Sequence, residues 1–371
     1  MSAVVSQAVL PTYARQDVTL VSGDGAWLVD AEGRRYLDFL AGIAVVGLGH
    51  RHPAPLAAAH AQLDRLWHVS NLYWTEPMTQ LAERLSECFG GAQAFFCNSG
   101  AEAIEAALKY ARKASGKSGV VALEGSFHGR TCGSLSVTGQ PAKRAAFEPL
   151  LPGVVFAEPN DVASLEAAVT DETGCILLEP VLGEGGIRPL DAQFVEAARA
   201  LADTSGALLI LDEVQTGVGR TGTFFAFEQL GVRPDAITLA KGLANGLPIG
   251  CLLVADSAAG AFVPGDHAST FGGNPVACAA GVAVCDTVDD ELLAAVVEHG
   301  ATIAARLPNV RGRGLLLAVE TTRPAADLVV ECLEHGLLVG TAGDNALRLT
   351  PPLTLAADEL EHGLAILEEV L

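Results

Sequence analysis

The residues best suited to chemistry in this sequence are one lysine and one aspartate, each closing a short apolar run. Residues 208–211 (LLIL) end in two carboxylates, Asp212 and Glu213, and residues 236–240 end in a single lysine, Lys241. An apolar run of that length fits a strand buried on both faces. Charged residues delivered at the carboxyl ends of two such strands mark a ligand crevice in an open α/β sheet. A carboxylate there needs a cation, because an unpaired buried charge is strongly destabilising. A lysine there is poorly hydrated and suited to condensing with a carbonyl. Pyridoxal phosphate answers both demands: its aldehyde takes the lysine, and its protonated ring nitrogen takes the aspartate.

Three other readings of the same stretch compete. The LLILDE segment has the shape of the magnesium-binding strand of a P-loop ATPase, which needs G-x-x-x-x-G-K-[ST] upstream. The one candidate, Gly116-Lys117-Ser118, has Ala111 where the first glycine belongs. Gly217, Gly219 and Gly222 match G-x-G-x-x-G, the dinucleotide fingerprint of a nicotinamide enzyme. Four residues separate Asp212 from the first of these glycines, and Lys241 stands where that fold places an acidic residue. A strand ending in solvated charges would leave Lys241 unexplained.

Upstream, residues 94–97 give way to Asn98-Ser99-Gly100 and then to an alanine-rich segment running to about Ala114. A helix N-terminus at Ser99, Gly100 and Ala101 would offer free backbone N–H groups to a phosphate, although Asn or Ser there is also an ordinary N-cap. Residues 120–123 lead into Ser126-Phe127-His128-Gly129-Arg130-Thr131, where the aromatic ring could stack on a cofactor and the arginine could hold a carboxylate. Arg348 is a charge amid apolar neighbours; pattern alone does not separate a ligand contact from a strand residue pointing to solvent. His50 and His52 lack the further ligands of a metal pair and read as structural.

These residues need a scaffold, and short strands joined by helices predict an α/β fold with a mostly parallel sheet. Helices are expected over about 76–88, 191–204 and from Val276 onward, and a strand over 247–254. Residues 18–21 and 26–29 read as a hairpin, with a further strand over 36–40. These are too few for a core of their own and must pack on something later in the chain. The C-terminal part alternates helix and strand in a smaller αβ unit.

The chain has 371 residues, half of them hydrophobic, enough for one large domain plus a smaller one. A net charge of −21 disfavours nucleic acid and anionic membranes as partners, and makes isolated arginines informative about anionic substrates. The longest apolar stretches, such as 276–285, are too short to span a bilayer, and no basic residue precedes Arg15, as the start of a signal peptide would require. Eight cysteines are scattered without a C-x-x-C pair. Neither a disulfide framework nor a metal site is expected, and a reducing cytoplasm is the expected setting.

In order and spacing, NSGAEA (98–103), SFHGRT (126–131), LLILDEVQTGVGRTG (208–222), LAKG (239–242) and STFGGNP (269–275) resemble the class III, ornithine-type, aminotransferases. AGIAVVGLGH (41–50), SNLYWTEP (70–77) and LRLTPPL (347–353) extend the likeness over nearly the whole chain. The resemblance implies the pyridoxal-phosphate-dependent transferase fold of type I. Residues 51–274 would form a large domain around a seven-stranded sheet, and 1–50 with 275–371 a small one. Lys241 would bind the cofactor covalently and then move protons, and Asp212 would keep its ring nitrogen protonated. Phe127 and Val214 would sandwich the ring, and Gln215 would reach its phenolic oxygen. Ser99, Gly100 and Ala101 would bind the phosphate, joined by Thr270 of the partner subunit in a homodimer with shared sites. Arg130, with Ser269 nearby, would grip the carboxylate of an acylated ornithine. Arg348 would hold the α-carboxylate of glutamate, masked by Glu184 while the other substrate is bound. Tyr13 is a further candidate carboxylate contact.

Ornithine aminotransferases generally carry a tyrosine where this chain has Ile43, and losing that hydroxyl disfavours a free α-ammonium group while tolerating an acyl group. The implied reaction moves the δ-amino group of N2-acetyl-L-ornithine to 2-oxoglutarate, by a ping-pong route through pyridoxamine phosphate. Ornithine, 4-aminobutyrate, succinylornithine and succinyldiaminopimelate are alternative donors. A nicotinamide oxidoreductase and a catalytically idle cofactor-binding protein are alternatives of other classes.

Overall fold

The computed structural model describes residues 8–371. Its centre is a seven-stranded sheet in the order Ala92–Cys97, Gly250–Ala255, Ala236–Leu239, Leu208–Asp212, Thr173–Leu178, Gly119–Leu123, Val154–Ala157. All strands run one way except Gly250–Ala255, which is antiparallel to both its neighbours. The apolar runs form strands because both faces are covered. Leu209 and Leu211 pack with Phe194, Ala198 and Leu85 on one face, while Leu208 and Ile210 pack with Ile104 and Ala107 of the helix Gly100–Ser115 on the other. Each fully buried Leu or Ile contributes roughly 1.5–3 kcal/mol, so a truncation such as Leu209→Ala removes about 2–5 kcal/mol.

A separate core holds the chain ends together. The strands Leu20–Asp24, Trp27–Asp30 and Arg35–Asp38 form an antiparallel set, to which Leu337–Leu338 adds in parallel beside Arg35–Asp38. The N-terminal strands thus find their cover three hundred residues downstream, with Leu37 and Phe39 buried among Leu337, Leu347, Leu364 and Leu367. A second small sheet contains Val310–Arg313, Leu316–Glu320, Ala346–Leu349 and Gly340–Thr341. Arg220 ties the two cores: its buried guanidinium donates to the carbonyls of Leu315 (3.1 Å) and Pro351 (2.6 Å), and burial brings its pKa down to about 9.

Two rival readings of the sequence find no support in this architecture. Gly116 is the left-handed C-cap of the helix Gly100–Ser115, so Gly116-Lys117-Ser118 ends a helix where a P-loop would begin one. Gly219 and Gly222 lie in a loop pressed against the helix Asp290–Arg306, where added Cβ atoms would lie 3.3 Å from Leu293 and 2.5 Å from Val297. These glycines serve close packing at positive φ, not a strand-to-helix phosphate turn. His50 bonds Asp38 at 2.8 Å and His52 caps the helix Pro53–Leu63, both structural tasks.

Candidate active site

Because the parallel strands share a direction, their carboxyl ends deliver side chains to one edge of the sheet. Asp212 closes one strand, Glu179 follows the next, the loop Ser126–Arg130 follows a third, and Asn98-Ser99-Gly100 follows the strand Ala92–Cys97. The antiparallel strand Gly250–Ala255 starts at the same edge and brings Leu247, Pro248 and Ile249 there. The result is a cavity of about 420 Å³ lined by Ser99, Gly100, Ala101, Phe127, Arg130, Glu179, Glu184, Asp212, Val214, Gln215 and Lys241 among others.

Lys241 sits two residues beyond the strand Ala236–Leu239 with a φ of 41°, in the left-handed region that side chains other than glycine rarely adopt. Such local strain is concentrated at functional sites, and here it goes with a lysine on the cavity wall. Burial brings its pKa down to about 8, with Arg348 adding to the shift and Glu184, Asp212 and Glu179 opposing it. Asp212 is 4% exposed, lines the cavity and accepts hydrogen bonds on both carboxylate oxygens. His128 Nδ1 donates to Oδ2 at 2.7 Å, and Thr238 Oγ1 and the Val214 N–H donate to Oδ1, each at 3.0 Å. Burial opposes protonation of His128, but its bond to Asp212 and the charges of Asp212 and Glu179 outweigh it and raise the pKa. Glu179 accepts from the N–H groups of Phe127 and Gly183 and is pushed up to about 7 by burial.

The two consecutive carboxylates have parted company. Glu213 turns away from the cavity and accepts from the N–H groups of Ala226 and Phe227 and from Thr216 Oγ1, a structural anchor whose pKa burial pushes to about 7. At the other end of the cavity Ser99 caps the helix Gly100–Ser115 by accepting from Glu102 N at 3.2 Å. The N–H groups of Gly100 and Ala101 lie in the first turn, where a helix has no internal acceptors for them. A Cβ at residue 100 would lie 2.8 Å from Val214 Cγ1, so only glycine lets the helix end approach this wall. Gln215 Oε1 is buried without a hydrogen-bond partner.

Two arginines stand in different states. Arg348, 2% exposed, is bonded through Nη1 to Glu184 and keeps a buried Nε without a partner. It does not point to solvent. Arg130 is exposed, its guanidinium carbon 5.6 Å from the centroid of Phe127, and Lys143 Nζ lies 4.9 Å from the same centroid. Ser269 and Thr270 lie outside the cavity wall of this chain. Ser269 Oγ accepts from Asn98 Nδ2 at 3.0 Å, and Thr270 is exposed. Ile43 and Tyr13, 43% and 75% exposed, do not line the cavity either.

The family model for "Aminotransferase class-III" matches residues 12–371. The chain belongs to the class-III aminotransferases. An acetylornithine aminotransferase of Mycolicibacterium smegmatis is 49% identical over 97% of this chain and 95% of its own length. Among solved structures, the ornithine aminotransferase of Toxoplasma gondii superimposes with a TM-score of 0.93 at 31% identity, covering 98% of this chain and 92% of that one. The N-acetylornithine aminotransferase of Stenotrophomonas maltophilia gives 0.84 at 35% identity, covering 96% of each. This class-III aminotransferase is thus a pyridoxal-phosphate-dependent enzyme. The cavity fits that cofactor: a helix N-terminus for phosphate, a buried carboxylate for a ring N–H, an orphaned buried amide oxygen and a desolvated lysine converge on it.

Sequence reasoning passed over His128, Glu179, Thr238 and Lys143. Only His128 carried a signal, as the polar residue between Phe127 and Arg130 in a loop already suspected. The others depend on which strand neighbours which.

Proposed function

We propose that this chain is an acetylornithine aminotransferase. It transfers the δ-amino group of N2-acetyl-L-ornithine to 2-oxoglutarate, giving N-acetyl-L-glutamate 5-semialdehyde and L-glutamate in two half-reactions at one site. When bound, pyridoxal phosphate supplies an aldehyde for the amine and a cationic ring that withdraws electrons from the carbon losing its proton. Lys241 holds the cofactor and carries the proton between the two carbons of the 1,3-shift. A pKa near 8 suits both the taking and the giving. Asp212, oriented by His128 and Thr238, holds the ring N–H. Phe127 and Val214 bracket the ring, Gln215 meets its phenolic oxygen, and Ser99, Gly100 and Ala101 hold the phosphate.

The observation that carries the two-substrate reading is that the cavity wall holds both Glu184, which is bonded to the buried Arg348, and Arg130, which has no ion pair among the described residues. With Glu184 on Arg348, one arginine is open and the site suits an amine donor with one carboxylate. With Glu184 displaced, two arginines are open and the site suits a dicarboxylate. For the donor, N-acetylornithine is favoured by the names of the relatives at 47–49% identity.

The site is read as shared across a homodimer, with Thr270 of the partner subunit completing the phosphate cradle and Ser269 near the substrate. Exposed Trp67, Leu72, Tyr73, Trp74 and Phe271 support this. They lie in the segments 67–74 and 269–272, which Asn71 joins by donating to the carbonyls of Ser269 and Gly272, and large exposed apolar groups so grouped mark an interface. A cytoplasmic setting agrees with eight cysteines that are all free. No helix among the described residues is long and apolar enough to cross a membrane.

The visible absorption of the purified holoenzyme tests the reading. Addition of N-acetylornithine without keto acid should bleach the cofactor band, and 2-oxoglutarate should restore it. Bleaching by ornithine and not by the acetylated donor would overturn the substrate and leave the reaction class standing.

A further inference from the structure

We propose that Lys143 is a positioning residue that receives the Glu184 carboxylate when a dicarboxylate keto acid occupies Arg348. The proposal rests on the two-substrate reading above. A keto-acid carboxylate on Arg348 must displace Glu184, whose side chain is 27% exposed and lines the cavity. A carboxylate set loose in such a place is costly unless a cation meets it. Three cations are at hand. Lys241 is committed to the cofactor, and Arg130 to the second carboxylate of the substrate. Lys143 alone has no assignment.

Its placement suits the task. Lys143 is half-buried, its Nζ lies 4.9 Å from the centroid of the cavity-wall residue Phe127, and that ammonium makes no hydrogen bond or ion pair among the described residues. Its short helix, Pro141–Arg144, is fastened next to the Glu184 loop at one carbonyl oxygen. Gln140 Nε2 donates to Gly125 O at 3.1 Å, and a Cβ at Gly185 would lie 2.6 Å from that same oxygen. The turn bearing Lys143 and the loop bearing Glu184 therefore approach the same carbonyl and lie close to each other. Burial lowers the pKa of Lys143, and Glu184 is the carboxylate that most opposes the shift. The loop also has freedom to carry the side chain over, since glycines flank Glu184 on both sides.

The test measures the two half-reactions of the holoenzyme separately. Lys143→Met should raise KM for 2-oxoglutarate about tenfold and leave KM for the amine donor within about twofold, and Lys143→Arg should restore most of the loss. In a Glu184→Gln background, Lys143→Met should add nothing further, because its partner is gone. If the Lys143→Met effect persists in that background, Lys143 contacts substrate directly and the proposal fails. It also fails if both half-reactions suffer equally, or if neither changes. Should Lys143→Met not fold, Lys143→Gln carries the same expectations, with the inhibition constant of glutarate as a binding readout. A wild-type enzyme that accepts no dicarboxylate keto acid overturns the two-substrate reading and this one together; a normal wild type with symmetric variants overturns this one alone.

Discussion

His128 Nδ1 and Asp212 Oδ2 are 2.7 Å apart and both residues are buried, while the second ring nitrogen of His128 has no partner. The histidine therefore orients the carboxylate from behind, with Thr238 on the other oxygen. Asp212→Asn keeps the shape and loses the charge that, on the proposed function, would keep the cofactor's ring nitrogen protonated. It should lower kcat by about 10²–10⁴ with cofactor still bound by absorbance. His128→Phe removes only the orienting bond and should cost about 10–100-fold. Equal losses in the two variants would show that His128 does more than orient.

Lys241→Met should abolish transamination while the protein folds. It should also stabilise the cofactor-free protein, with a definite pH dependence. The folded pKa of about 8 lies below the ordinary 10.5, so between those values the unfolded chain binds the extra proton. The burial penalty is full below about pH 8 and fades toward pH 10.5. After discounting for partial exposure, the gain should be up to about 2 kcal/mol at pH 7, and it should fade out as the pH rises through about 10.5 in denaturant titrations. A gain independent of pH would detach it from the lysine's charge.

Gly100→Ala puts a methyl group 2.8 Å from Val214 Cγ1 at the start of the helix Gly100–Ser115. Overpacking of this kind costs roughly 1–3 kcal/mol. The shift should appear in cofactor affinity, measured by equilibrium dialysis, more than in kcat at saturating cofactor.

Arg348→Lys keeps a positive charge and gives up the planar fork that a carboxylate engages bidentately. KM for 2-oxoglutarate should rise by about 10–100-fold, while the half-reaction with N-acetylornithine changes much less. Stopped-flow absorbance of the two half-reactions separates them.

Trp74→Glu, alone or with Leu72→Glu, places charge on side chains that are 87% and 85% exposed. Sedimentation velocity should show a shift from dimer toward monomer and a matching loss of activity. A monomer with full activity would refute the shared site.

Much of this molecule was legible in its sequence, because the decisive signals are local. An apolar run long enough for one strand, followed by Asp212 or by Lys241, specifies a doubly covered strand and what stands at its end; the capped start of the helix Gly100–Ser115 is likewise written in adjacent residues. Tertiary structure alone decided how those ends combine. Asp212 and Glu213 are adjacent and chemically alike, yet alternation along the strand sends one to the cavity and the other to the N–H groups of Ala226 and Phe227. Arg348 looked equally able to face solvent, and it is buried against Glu184, 164 residues away. His128 meets Asp212, and Glu179 meets the Phe127 N–H, only because strands distant in the chain lie side by side. Periodicity and spacing report what a residue does to its own segment; which charges meet across segments depends on strand order, which is fixed by the packing of the whole sheet.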